Sequence, residues 1–170
     1  MKITKHSPNL TIVEQDACRR SIQIAFFYEK NNKRYFLSMP PIIFFIKHTK
    51  GFRITSVYGF FVINKKLYQL PFYNIFDNGK ICLGRFKKKF DSLENLINGF
   101  LQSFWTSVFT EEAGDSFKEY LDKKKFISDY EKWQDKTKKN KNWIPNSRQL
   151  VSISKYGKED IKKLKTDYVK

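Results

Sequence analysis

The chain has two thiols, and one of them lies in a stretch that follows neither the period of a strand nor that of a helix. The stretch is Pro71-Phe72-Tyr73-Asn74-Ile75-Phe76-Asp77-Asn78-Gly79-Lys80-Ile81-Cys82-Leu83-Gly84. Asp77-Asn78-Gly79 is a turn signal, because glycine admits positive φ. The turn delivers Ile81-Cys82-Leu83 as a brief extended piece, and Gly84 allows close backbone approach after it. Cys82 therefore sits at the edge of a turn, where a thiol can act as a nucleophile. A cysteine between Ile81 and Leu83 also suits a small buried apolar position, so exposure of the sulfur decides between the two readings.

The other reactive side chains are less well placed. Cys18 has Arg19 and Arg20 beside it, which favours a thiolate, but nothing around it matches a known site and it reads as structural. The two cysteines are far apart with no Cys-x-x-Cys spacing, and with only two histidines neither a metal site nor a cofactor is expected. His6 and His48 read as turn or surface residues. Glu111-Glu112 reads as a loop or helix start, since no second carboxylate can be placed opposite it.

The elements that position Cys82 follow from periodicity. Residues 21–28 alternate as a strand, Asn31-Asn32 is a turn, and residues 34–38 form a second strand. Met39-Pro40-Pro41 removes two backbone donors and stops that ladder. Residues 42–47, 52–63 (one long strand, or a pair broken near Gly59) and 67–70 continue the antiparallel half. After Cys82 the period changes: Leu93, Leu96, Ile97, Phe100, Leu101, Phe104, Trp105 and Val108 recur at helical steps, with Asp91 or Ser92 as the start. Two further helices are expected, from Gly114 or Asp115 to about Lys124 and from Ile127 to about Lys138, and 158–165 either forms a short basic helix or frays. The prediction is one α+β domain over 1–170, with its core at about 20–110 and a basic helical extension at 111–170.

No run of the chain approaches a membrane span and residues 1–13 lack the order of a signal peptide, so a cytoplasmic protein is expected with no membrane partner. The formal net charge of +16 fits nucleic-acid contact, docking to an acidic protein, or plain lysine decoration of solvent faces. The densest runs lie at Lys87-Lys88-Lys89, at 123–125 and at 136–141. A nucleic-acid partner, if present, would use Lys87, Lys88, Lys89, Lys136, Lys138 and Lys139.

Asn74, Gly79, Ile81, Cys82 and Leu83 together resemble the active-site segment of ubiquitin-conjugating enzymes. That family has an Asn eight residues before its Cys, a Gly three before it, and the local pattern Gly-x-Ile-Cys-Leu. It also has a Trp eight residues after the Cys, where this chain has Phe90 before Asp91-Ser92. Met39-Pro40-Pro41-Ile42, Cys82-Leu83-Gly84 and the run from Phe104 to Thr110 are similar to the prokaryotic ubiquitin-conjugating family D, which includes PRTRC system protein B. Phe72-Tyr73-Asn74 replaces His-Pro-Asn, and Glu111 stands where relatives continue Phe-Thr-His. The resemblance covers roughly residues 35–110. It implies a ubiquitin-conjugating-like fold: an antiparallel β-meander, an active-site loop, then helices.

The resemblance further implies that Cys82 carries a ubiquitin-like protein as a thioester, received from a ThiF-like adenylating enzyme. Asn74 would steady the oxyanion, and Tyr73, Gly79 and Gly84 would support the loop. Two other readings stay open: a scaffold that keeps the fold without transferring anything, and the nucleic-acid module.

Overall fold

The structure, a computed structural model, describes residues 1–111, 116–153 and 162. β1 (Lys2–Ser7) and β2 (Leu10–Gln15) form a hairpin, β3 (Cys18–Ala25) and β4 (Lys33–Met39) form a second, and β5 (Ile42–His48), β6 (Ile54–Ile63) and β7 (Lys66–Gln69) form a meander. α1 (Leu93–Thr106), β8 (Val108–Thr110), α2 (Ser116–Asp122) and α3 (Tyr130–Lys139) follow, with 3-10 turns at Phe126–Ser128 and Ser147–Gln149. Among the described residues the architecture is thus mixed α and β, with largely antiparallel sheets and three α-helices.

The strands divide into two sheets rather than one continuous meander. One has the order β1-β2-β5-β6-β7 and is antiparallel throughout; the other has the order β4-β3-β8, with β8 parallel to β3. The chain passes from the second sheet to the first at Pro40 and Pro41, where two missing N–H donors end one ladder. A single cluster of buried side chains fills the space between the sheets and helices. It takes in Val13, Ile22, Leu37, Phe44, Phe61, Phe72, Phe100, Phe104, Tyr120, Trp133 and Val151. A smaller cluster of Leu10, Phe45, Phe60 and Ile153 lies apart from it.

Local chemistry explains the helix ends. Ser92 caps α1, accepting from the Asn95 N–H at 3.1 Å, while the Asp91 carboxylate accepts from the Asn95 amide at 2.6 Å. Val108, expected inside this helix, lies outside it. Ser107 is extended (ψ 154°), and Val108 to Thr110 pair with β3. The expected start of α2 falls outside the described residues, whereas α3 starts later than its apolar spacing suggests, the turn at Phe126–Ser128 and an Asp129 cap setting its start. Trp143 packs against the core, edge-on to Phe126. The expected basic helix at 158–165 falls outside the described residues, apart from Lys162.

α3 covers a strand edge. β4 is the outer strand of its sheet, yet its Phe36 and Ser38 N–H groups donate to the side chains of Gln134 (2.8 Å) and Thr137 (3.0 Å). The Ser38 carbonyl accepts from Trp133 Nε1 at 3.0 Å. Side chains of one helix thereby satisfy backbone groups that an edge would otherwise expose. Among the described residues no helix is long and apolar enough to cross a membrane.

Candidate active site

β6 has ten residues, but β7 pairs only with its second half, from Phe60 to Ile63. The segment that carries Cys82 occupies the same edge along the first half. Gly59 N–H donates to Gly79 O (3.0 Å), Lys80 bridges to Tyr58, Ile81 N–H donates to Val57 O (2.8 Å), and Ile54 N–H donates to Lys88 O (2.7 Å). Lys89 bridges to Arg53. A stretch without periodicity of its own is placed by backbone bonds to a strand that had an edge to spare.

Within that stretch residues 74–82 form a tight hairpin. Cys82 N–H donates to Asn74 O at 2.8 Å, Ile75 bridges to Ile81, and Phe76 N–H donates to Lys80 O at 2.9 Å. Asp77-Asn78-Gly79 makes the tip, with Gly79 N–H donating to Phe76 O and Asn78 Oδ1 accepting from Lys80 N–H. Gly79 has φ +82°, and a Cβ there would lie 2.0 Å from the buried Phe60 ring. Gly84 also has positive φ (+42°) but has open space around it. Asn74 takes φ +67°, a conformation asparagine tolerates better than most residues.

Cys82 is exposed and unpaired, while its neighbours Ile81 and Leu83 are buried and pin the backbone beneath it. Asn74 is half-buried and adjoins Cys82 through the main chain. Its side chain, however, is held on β8: Nδ2 donates to Val108 O at 3.2 Å and Oδ1 accepts from the Thr110 hydroxyl at 3.0 Å. An amide has two N–H groups, and Val108 O engages one of them. Thr110 is the site residue that sequence reading missed. The run from Phe104 to Thr110 was legible as a family feature, but its contact with Asn74 spans 36 residues and leaves no local signal.

Replacing the Thr110 hydroxyl tests this restraint. Thr110→Val is expected to cost about 1 kcal/mol and to free the Asn74 amide, seen as a shift and sharpening of its side-chain NH2 signals in NMR spectra. Unmoved signals would show that the hydroxyl holds nothing.

Aromatic packing supports the loop from below. Phe72, at the position of the family's histidine, is fully buried against Phe61, Phe109 and Trp133. The Tyr73 ring lies 4.5 Å from that of Phe117 and 6.4 Å from that of Phe26, and burial together with the Glu111 charge pushes its hydroxyl pKa up. The Tyr130 hydroxyl donates to Pro71 O (2.8 Å), Tyr120 donates to Gln69 O, and the Gln69 amide donates to Asp77 O. Both α2 and α3 are therefore bonded to the chain where it enters the Cys82 segment. Beyond Tyr73 opens a cleft of about 740 Å³ walled by Tyr35, Phe117 and Tyr130, which Cys82 and Asn74 do not line. Burial and Glu131 push the Tyr35 hydroxyl there up to about 12.

The remaining candidates lie elsewhere. Cys18 is half-buried and unpaired in β3. His48 proves to be buried rather than at the surface: Thr11 Oγ1 bridges it to the exposed His6, at 2.9 Å and 3.0 Å. Among the described residues no group of three His, Cys, Asp or Glu side chains could hold a metal. Lys87, Lys88 and Lys89 are exposed beside β6, while Lys136, Lys138 and Lys139 are exposed in the last turn of α3, where they also complement the helix dipole. The two lysine groups are thus carried by elements that pack on different sheets.

A mixed α and β fold with antiparallel sheets and three helices among the described residues is compatible with a ubiquitin-conjugating-like fold. The chain belongs to prokaryotic E2 family D, whose model matches residues 6–153. The match extends beyond the residues that carried the resemblance and takes in β2 and the helices α2 and α3. No curated protein and no solved structure matches the chain significantly.

Proposed function

We propose that the protein carries a ubiquitin-like protein as a thioester on Cys82, receiving it from an adenylating enzyme of ThiF type and passing it to an amine. The observation that carries this reading is the exposed sulfur on a pinned hairpin, in a chain of an E2 family. A thioester keeps acyl-transfer potential while resisting water, so a carrier needs an accessible thiol rather than the Cys–His pair of a protease. The remaining Asn74 N–H is the donor assigned to the oxyanion, with Thr110 and Val108 O setting its direction. The sulfur lies away from the large cleft, which suits a partner of protein size.

The test combines the purified protein with the activating enzyme, the ubiquitin-like protein and ATP. A reductant-sensitive adduct is expected, which Cys82→Ser converts to a reductant-resistant ester or eliminates. An adduct that persists unchanged in Cys82→Ala overturns the reading.

One observation favours a non-catalytic scaffold instead: the Asn74 side chain is tied at both ends to β8. Alkylation separates the two readings. A Cys82 that reacts no faster than a buried thiol, and whose replacement leaves cellular function intact, leaves the scaffold standing.

A further inference from the structure

We infer that the surface around Cys82 docks an acidic face of the protein that delivers the acyl group, an inference that rests on the carrier reading. β6 acts as a ruler for the argument. Arg53 and Ile54 stand beside Lys89 and Lys88, and Val57 and Tyr58 stand beside Ile81 and Lys80. Five residues of strand cover about 17 Å, so both ends of the thiol segment lie within that span. Arg85 and Lys87 lie in the loop between them.

Six exposed cations, Arg53, Lys80, Arg85, Lys87, Lys88 and Lys89, therefore lie on or beside the segment that carries one exposed sulfur. Residues 78–90 contain no carboxylate; Asp77 and Asp91 flank them at the two ends. None of the six cations joins an ion pair among the described residues. The Lys87 ammonium lies 5.4 Å over the Phe90 ring. Cations this close repel one another, and a covering surface of opposite charge relieves that repulsion and speeds encounter.

Covalent geometry selects the occupant. A thioester carbon must come within about 3–3.5 Å of the sulfur to react. The protein that brings it must then rest on the residues flanking Cys82. A single-stranded nucleic acid would instead want several exposed rings on which successive bases stack, but of the rings within residues 76–90 only Phe76 is exposed, while Phe86 packs against the core and Phe90 is buried.

Two measurements test this, in a Cys18→Ser background so that Cys82 alone reports. In the first, Cys82 is reacted with the dianionic 5,5′-dithiobis(2-nitrobenzoate) and with the neutral 4,4′-dithiodipyridine. In each, the thiolate forms a mixed disulfide and one aryl thiolate leaves. The rate ratio is expected to favour the anion and to fall about tenfold in the variant Lys87→Gln, Lys88→Gln, Lys89→Gln and on raising salt from about 50 to 200 mM. A ratio indifferent to both overturns the inference whether or not the protein is a carrier.

In the second, thioester loading by the activating enzyme is expected to slow about tenfold in the same triple variant and to show the same salt dependence. Loading that proceeds at the wild-type rate overturns the inference while leaving the carrier reading intact. So does a fluorescent oligo-dT probe that loses its affinity in the triple variant without any change in loading. Failure of the wild type to load at all removes the carrier reading and the docking face with it, even where the reagent ratio behaves as expected.

Discussion

Trp133→Ala is expected to cost about 4 kcal/mol, lowering the melting temperature by about 8–16 °C for a chain of this size. The ring is fully buried, stacks on Phe72 with planes 4° apart and on Tyr130 with planes 16° apart, and its Nε1–H satisfies the Ser38 carbonyl. Alanine leaves a cavity under the loop and an unsatisfied acceptor on the β4 edge. Trp133→Phe separates the two causes, since it keeps most of the packing and loses only the bond, at about 1–2 kcal/mol. Because Phe72 precedes Asn74 by two residues, the alanine variant should also broaden the Asn74 amide signals before global unfolding. Urea denaturation that finds both variants within about 0.5 kcal/mol of wild type would show that α3 contributes little to the core.

Gly79→Ala carries the second large effect, about 3 kcal/mol from overpacking and left-handed strain together. The added carbon would meet two atoms of the Phe60 ring at 2.0 Å and 2.3 Å. Phe60 cannot easily give way, being fully buried with its ring 6.1 Å from that of Phe45. The hairpin tip must lift instead, breaking the bond from Gly59 N–H to Gly79 O. Gly84→Ala is the control: its φ is also positive, but the added carbon meets nothing, so only strain of about 1 kcal/mol remains. Thermal melts and Cys82 alkylation rates are expected to change strongly for position 79 and weakly for position 84. Equal effects at the two positions would mean that contact with Phe60 does not set the tip.

What the sequence made legible depended on whether a segment's burial had a period. β3 to β7 alternate or run apolar between turn residues, and each was found within a few positions of its place. The first hairpin went unread because burial there does not follow residue type: β1 exposes Ile3 at a sheet edge, while β2 buries the polar Thr11 and Gln15 in alternation with Val13. β8 was absorbed into the preceding helix, since Val108 continues the helical spacing and only pairing with β3, more than eighty residues earlier, pulls it out. The Cys82 segment could be recognised by residue type and turn chemistry. Its attachment to β6 could not, because the free half of that strand's edge exists only once β7 has stopped at Gln69.

That attachment uses amide and carbonyl groups, which nearly every residue type supplies. The position of the sulfur is therefore largely independent of the outward side chains between Gly79 and Lys89. Those side chains can change over evolutionary time, exchanging one binding preference for another, while the reactive atom stays where it is. The chain keeps the machinery of placement and the vocabulary of recognition on separate parts of the same few residues.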